Sequence, residues 1–163
     1  MVNHDATDLI RLFDGLFARR YRCRLVRGGD EPLYLPAQDA SGYHQLQFAH
    51  GYFASALHEI AHWCIAGPRR RQQVDFGYWY QPLRDLQQQT QFESVETAPQ
   101  ALEWIFSDAA GFTYRPSVDN LDLRPDPSAF LAQVARAKTR WLTNGLPARA
   151  IEFRRALAGY YGD

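Results

Sequence analysis

Apolar residues recur every three to four positions from Thr7 to Arg20, which is the spacing of an amphipathic helix. The segment from Phe48 to Ala66 is apolar on most of its helical circumference and rich in small residues. The dipeptide Gly67-Pro68 follows it, and such a pair is typical of a helix end. We therefore predict an amphipathic first helix and a second helix that lies in the core of the domain.

Shorter patterns predict the remaining elements. Weak alternation of polar and apolar residues indicates strands at Arg22–Arg27 and Leu33–Leu35, and strand-forming residues fill Val74–Tyr80. Apolar spacing and end signals predict three more helices, from Pro99 to about Ala110, Ser128 to Asn144, and Pro147 to about Tyr160. The predicted fold class is α+β, predominantly helical with a few short strands, in a single domain over residues 1–163.

Composition and charge argue against several classes of function. The 163 residues are 46% hydrophobic and 22% charged, as in a globular protein. Lysine and arginine together number 18, as do aspartate and glutamate, so no overall field attracts nucleic acid or an anionic membrane. We therefore expect neither a nucleic-acid partner nor a membrane partner.

The cysteines and the first residues predict the compartment. Two cysteines, Cys23 and Cys64, fit a reducing compartment better than a disulfide scaffold. The stretch Met1–Asp5 lacks a basic start followed by an apolar run, and no stretch of about 18 apolar residues occurs. We expect a cytoplasmic protein that is neither exported nor membrane-spanning.

Three consecutive arginines, Arg69–Arg71, form the densest run of charge. A solvated loop is the simpler interpretation, because the break at Gly67-Pro68 precedes them. The alternative is a docking patch for an acidic partner protein.

The sequence His58-Glu59-Ile60-Ala61-His62 lies inside the apolar second helix. Histidines four positions apart project from one face of a helix, close enough to grip one metal ion. Two imidazoles and a carboxylate buried without partners would cost several kcal/mol, whereas a metal ion would satisfy all three. The alternative is a hydrogen-bonded pair of core histidines, with Glu59 at the surface. We predict a metal centre at His58 and His62.

Two imidazoles leave a divalent ion short of ligands, and the usual third ligand is a carboxylate from another element. Glu96 is the first candidate, because the helix predicted at Pro99 could present it to the motif. Glu93 is the second candidate, and either glutamate could instead be a solvent-facing carboxylate at a helix N-terminus. Three more carboxylates rank behind them: Glu103, Asp108 and Asp75.

Two neighbours of the motif have plainer interpretations. Cys64 lies two residues past His62, about 200° round the helix, and is predicted to be a core thiol. His50 lies eight positions before His58, about 80° from the ligand face. It is either a polar residue at the helix start or a group that supports a ligand.

The motif alone leaves two functional classes open. In zinc peptidases the ion polarises a carbonyl, and the glutamate of the motif is the general base for the attacking water. The same two histidines and a carboxylate can instead hold Fe(II) and leave positions for dioxygen and substrate. A purely structural metal is the weakest alternative, since such sites have four protein ligands that usually include cysteine.

Several segments together resemble the bacterial elongation factor P hydroxylase family. They are Asp30–Pro36, the motif segment Phe48–Gly67, Val74–Tyr80, and Gln91–Glu96 followed by Pro99–Trp104. The resemblance runs in one register over nearly the whole chain. It implies a monooxygenase that hydroxylates the modified lysine of elongation factor P after a β-lysyl group has been attached there.

On this resemblance, His58, His62 and Glu96 are expected to hold Fe(II), or zinc or another divalent ion in a purified sample, with dioxygen as co-substrate. Glu59 is expected to be catalytic, steering protons or positioning a water. The amines of the substrate are cationic, so rings and a carboxylate should receive them. The substrate-binding candidates, which could equally be core strand residues, are Asp75, Tyr78, Trp79 and Tyr80.

Overall fold

Five α-helices and one small sheet make up the described part of the chain. The computed structural model describes residues 2–78, 85–116 and 128–162, except for the side chains at 86 and 89–93. The elements are α1 Ala6–Tyr21, β1 Cys23–Arg27, β2 Leu33–Leu35, β3 His44–Phe48, α2 Phe53–Ile65, α3 Leu86–Ala110, α4 Ser128–Asn144 and α5 Ala148–Tyr161. The predicted α+β class, predominantly helical with short strands, is confirmed.

The sheet places its central strand directly before the motif helix. β3 runs parallel to β1 and antiparallel to β2, and it pairs with both. β3 is absent from the predicted elements, and the prediction that the second helix begins at Phe48 is wrong. His50 and Gly51 have left-handed backbone angles, so the chain turns there and α2 begins at Phe53.

α2 lies in the core, as predicted, with one face against an aromatic cluster. Trp63 is fully buried, and its ring centroid lies 4.9 Å from those of two phenylalanines of α1. Cys64 beside it is 1% exposed, which confirms the predicted core thiol. His58 and His62 project from another side of α2, where their imidazoles meet side chains of α3.

Three arginines donate hydrogen bonds to backbone carbonyls at the end of α2 and in the segment that follows it. Arg149 of α5 donates to three main-chain carbonyls there, at 2.7, 3.1 and 2.7 Å. Arg71 donates to one of the same carbonyls at 2.7 Å, and Arg70 donates to the carbonyl of Phe76 at 2.9 Å. Two of the three consecutive arginines therefore have acceptors within the chain, while Arg69 and Arg70 are both exposed, as the interpretation of a solvated loop expects.

α3 begins at Leu86 rather than at Pro99, where the sequence predicts its start. Asp85 and Gln88 form a capping box, in which each side chain accepts a hydrogen bond from the backbone N–H of the other. Proline removes one backbone donor inside a helix, yet α3 continues through Pro99. Glu96 consequently lies within α3 and not in front of it.

The strand predicted at Val74–Tyr80 is wrong over its described part. Residues 74–77 form a short 3-10 turn in which Asp75 and Phe76 have positive φ angles of 50° and 60°. The Asp75 carboxylate accepts from the backbone N–H of Tyr34 at 2.9 Å, and the Phe76 ring stacks on the Tyr34 ring at 4.3 Å. Positive φ is uncommon for bulky residues, so these tertiary contacts outweigh the strand propensity of the segment.

The two C-terminal helices follow the prediction closely. α4 has the predicted bounds, and α5 is shifted by one residue. Both pack against α3, and α5 also contacts α1 and α2. Within the described ranges, no helix has the length and apolar character needed to cross a membrane.

Candidate metal centre

Three potential metal ligands converge where α2 faces α3. The Nε2 atoms of His58 and His62, one turn apart on α2, are 3.1 Å apart. Glu96 reaches them from α3, with Oε2 at 3.0 Å from His58 Nε2 and Oε1 at 3.1 Å from His62 Nε2. The structure thus brings together the three residues that the sequence and its resemblance suggested as ligands.

These distances suit a bound divalent ion. Ligand atoms at about 2.1 Å from an ion in tetrahedral or octahedral geometry lie about 3.0 to 3.4 Å from one another. Lone pairs that face one another repel unless a proton or a cation lies between them. Glu96 is only 5% exposed, so leaving this arrangement uncompensated would be costly. The donor set therefore fits a metal that accepts nitrogen and oxygen ligands.

Carboxylates dominate the electrostatics of the centre. Burial alone would lower the pKa of His58, but Glu96 and Glu103 raise it well above its ordinary value. Burial alone would raise the pKa of Glu96, but the two histidines lower it well below its ordinary value. Without a metal, the centre favours an imidazolium beside an ionised carboxylate. A metal ion would take the place of that proton.

Glu103 contacts the other side of His58. Its Oε1 is 2.8 Å from His58 Nδ1, whereas the ligand atoms gather at Nε2. Glu103 follows Glu96 by two helical turns on the same face of α3. The sequence ranks Glu103 as a reserve ligand, and the structure places it outside the ligand set. The seven-residue spacing places Glu96 and Glu103 on one face of a single helix. A helix predicted to begin only at Pro99 leaves Glu96 outside it and hides that relation.

Glu59 lies in the interior rather than at the surface, with 8% exposure. Burial raises its pKa, and the two motif histidines partly oppose that shift. Glu96 and Asp75 add to the rise, because negative charges nearby disfavour a further carboxylate. The carboxyl group of Glu59 therefore lies within electrostatic range of the ligands and is suited to carry a proton there.

The turn at 74–77 covers one side of the centre. Phe76 is 3% exposed, and its ring lies nearly parallel to that of His62, with 6.2 Å between centroids and 12° between planes. A buried ring in this position keeps water away from that face of the imidazole.

Comparison with known proteins identifies the family. A family model described as elongation factor P hydroxylase matches residues 12–163. The chain is also similar to the elongation factor P lysine hydroxylase of Haemophilus influenzae, at 48% identity over 98% of this chain and 91% of that protein. The chain belongs to the elongation factor P hydroxylase family. The resemblance seen in the sequence motifs is confirmed, and the matched range includes all three residues of the candidate metal centre.

The residues predicted to receive substrate in this hydroxylase-family chain have mixed placements. Asp75 is exposed on the turn beside the centre. Tyr78 is partly buried, and the guanidinium of Arg70 lies 4.1 Å from the centre of its ring. Trp79 and Tyr80 lie outside the described residues, so their substrate role stays a prediction.

The remaining candidate ligands of this family member lie away from the three donors or outside the description. Asp108 pairs with Lys138 of α4 at 2.6 Å. The side chain of Glu93 falls outside the described residues. His50 has a positive φ of 56° and lies in the turn before α2, not at the helix start, and its imidazole is 3.8 Å from the carboxylate of Asp30.

Proposed function

We propose that this protein is a metal-dependent hydroxylase of elongation factor P whose metal is held by His58, His62 and Glu96. The observation that carries the proposal is the convergence of these three donors, 3.0 to 3.1 Å apart, in a chain of the hydroxylase family. The relative in Haemophilus influenzae is named for hydroxylation of a lysine of elongation factor P. The acceptor is proposed to be that factor's lysine after it has received a β-lysyl group.

Two imidazoles and one carboxylate leave the other coordination positions of an ion open. Fe(II) bound there would supply the activation of dioxygen, the proposed co-substrate, and zinc or another divalent ion could occupy the same donors in a purified sample. The two histidines and Glu96 would hold the ion at the contact between α2 and α3.

Side chains of this protein would carry a proton near the ion and limit the access of water to it. Burial raises the pKa of Glu59, so this residue can hold a proton near the ligands and exchange it with a bound water or the substrate. The ring of Phe76 shields one face of His62 from solvent. Glu59 is therefore the proposed catalytic residue, and Phe76 limits the access of water to His62.

The substrate side chain carries amines that are cationic at neutral pH. Asp75 is exposed on the turn at 74–77 and lies within electrostatic range of the buried Glu59, so its carboxylate offers a negative charge beside the centre. A carboxylate in that position favours a cationic group, although the Arg70 guanidinium lies over the Tyr78 ring nearby. Asp75 and Tyr78 are the proposed substrate-binding residues of the described chain, and Tyr80 is proposed from the sequence alone.

The proposal extends to the setting of the enzyme. We take the chain as one domain over residues 1–163 that works in the cytoplasm on elongation factor P, without a nucleic-acid or membrane partner. The balanced charge supports this setting, and so do two buried cysteines that are free thiols.

The test is intact-mass analysis of β-lysylated elongation factor P after incubation with the protein, Fe(II), a reductant and air. The expected result is a gain of one oxygen atom. His58→Ala should give no gain, because it removes a ligand. His50→Asn is the matched control, since it changes an imidazole outside the centre and asparagine tolerates the left-handed backbone there.

The competing function is a zinc-dependent peptidase or hydrolase with Glu59 as general base. Membership of the hydroxylase family favours hydroxylation over this alternative. A protein that contains only zinc, cleaves peptides and adds no oxygen to elongation factor P would establish the hydrolase. Full oxygen gain with His58→Ala would refute the assignment of the centre.

A further inference from the structure

We propose that Glu103 is a positioning residue that holds the His58 imidazole in the orientation and tautomer that present Nε2 to the metal. This inference rests on the proposed metal centre but not on the identity of the substrate. It starts from a contact on the side of His58 that faces away from the ligands.

The two ring nitrogens of His58 have different partners. Nδ1 is 2.8 Å from Glu103 Oε1, and Nε2 is 3.0 Å from Glu96 Oε2. A neutral imidazole carries one N–H and one lone pair, and only the lone pair binds a metal. Glu103 Oε1 lies in position to accept an N–H from Nδ1, which keeps the ring hydrogen on Nδ1. The lone pair of Nε2 is then left for the metal.

Burial and helix packing give this contact its strength. The side chains of His58 and Glu103 are 21% and 7% exposed, so little water competes for the hydrogen bond. Ser107 donates to the main-chain carbonyl of Glu103 at 2.9 Å, one turn further along α3. Glu103 thus acts on His58 from within a regular helix and not from a loop.

One face of α3 supplies both the ligand and its support. Glu96 and Glu103 are seven residues apart, which places them two turns apart on the same side of the helix. Any shift of α3 against α2 would move both carboxylates together relative to His58. Carboxylate partners of metal-bound histidines typically contribute about 10–100-fold to metal affinity.

Two substitutions of similar length separate the hydrogen bond from other effects. Glu103→Gln keeps an oxygen that can accept from Nδ1 and removes the charge, whereas Glu103→Met removes the acceptor and still fills the space. Methionine is preferable to alanine because the groove lined by Ala54, Glu103 and Phe112 could supply water to a vacated position. Ser107→Ala is the matched control, since it removes a buried hydroxyl from α3 that bonds no histidine.

The first measurement is the Zn(II) affinity of the full chain, by competition with a chromogenic chelator. Thermal unfolding without metal shows that each variant is folded. Glu103→Met should lower the affinity about 10–100-fold, Glu103→Gln only a few-fold, and Ser107→Ala should match the wild type. A Glu103→Met variant that binds Zn(II) as tightly as the wild type would overturn the inference.

The second measurement needs no variant. Long-range proton–nitrogen NMR of the Zn(II)-loaded protein, labelled with nitrogen-15 in histidine, reports the state of both ring nitrogens. We expect His58 to carry a proton on Nδ1 and the metal on Nε2, and metal on Nδ1 would overturn the inference. Neither measurement uses elongation factor P. A failure of the proposed hydroxylase function would therefore be seen separately, as the absence of an added oxygen atom in the intact-mass experiment.

Discussion

Replacement of Arg149 by methionine should destabilise the protein through the helix that carries the metal motif. Arg149 donates to the carbonyls of Trp63, Cys64 and Ala66 at 2.7, 3.1 and 2.7 Å. Carbonyls at and just beyond the last turn of a helix have no N–H partner within that helix. Methionine would keep much of the apolar stem of Arg149 and remove all of its donors.

The size of the effect follows from these contacts. A hydrogen bond from a charged donor contributes about 1.5–3 kcal/mol, and a cation at a helix C-terminus adds about 0.3–1 kcal/mol. The bonds do not add fully, because they share one guanidinium and water can reach this partly buried position. Arg71 also keeps its own bond to the Ala66 carbonyl. We expect the free energy of unfolding to fall by about 2–4 kcal/mol.

Urea unfolding followed by tryptophan fluorescence measures this loss. With a slope of about 2 kcal/mol per molar urea, the midpoint should fall by about 1–2 M. Arg155→Met on the same helix is the control, since Arg155 is exposed and its replacement should shift the midpoint little. If the two variants unfold at the same urea concentration, Arg149 does not cap α2.

Three further predictions concern the centre and the core. Burial opposes the charge of His58, but Glu96 and Glu103 raise its pKa well above the ordinary value. Protonation of His58 therefore stabilises the metal-free fold at low pH, and this stabilisation is lost as pH rises through the raised pKa. Zn(II) displaces that proton, so the rise in Tm on Zn(II) binding should grow with pH, and a pH-independent rise would contradict this. Phe76→Ala should lower the free energy of unfolding in urea by about 3–5 kcal/mol, because it empties a buried position. Val74→Ala at an exposed position should lower it little, and equal midpoints for the two variants would count against the packing argument. Burial raises the pKa of Cys64 to about 12 and that of Cys23 further, so iodoacetamide should modify neither thiol in the native protein and both in urea, as read by mass; rapid native alkylation would show that the thiols are accessible.

The helices that could be predicted from the sequence are those in which apolar spacing and end signals agree. α4 has both, and its bounds match the prediction. α3 has conflicting signals, because Pro99 suggests a first turn while the capping box at Asp85 and Gln88 starts the helix earlier. The capping box lies in a glutamine-rich stretch with little apolar periodicity. The local sequence pattern therefore does not identify the residue at which α3 begins.

The sheet and the turn at 74–77 depend on distant partners. β3 is a short strand with several polar residues that pairs on both sides, and one of its two neighbours, β1, precedes β2 in the chain. Asp75 and Phe76 adopt their positive φ angles where both contact Tyr34 of β2. Strand propensity in the sequence cannot report either contact.

The candidate metal centre likewise has residues that local spacing predicts and residues whose role depends on tertiary packing. His58 and His62 could be predicted because helical geometry alone brings residues four apart together. Glu96 ranks first from the sequence because it stands just before the helix predicted at Pro99, although α3 in fact begins at Leu86 and includes Glu96. Glu103 could not be given its role, because that role depends on the phase of α3 against α2, which only the packed structure supplies.

The last turn of α2 offers a test of how far the local geometry of the helix determines the candidate metal centre. His62 lies in the last turn of α2, whereas His58 lies one turn earlier. If Arg149 fixes that last turn, Arg149→Met should lower Zn(II) affinity several-fold in the folded protein, and Arg155→Met should not. An unchanged affinity would mean that the contacts of His62 with Glu96 and Phe76 hold the imidazole in place without the arginine. The tertiary contacts of the site, and not the helix end, would then set its geometry.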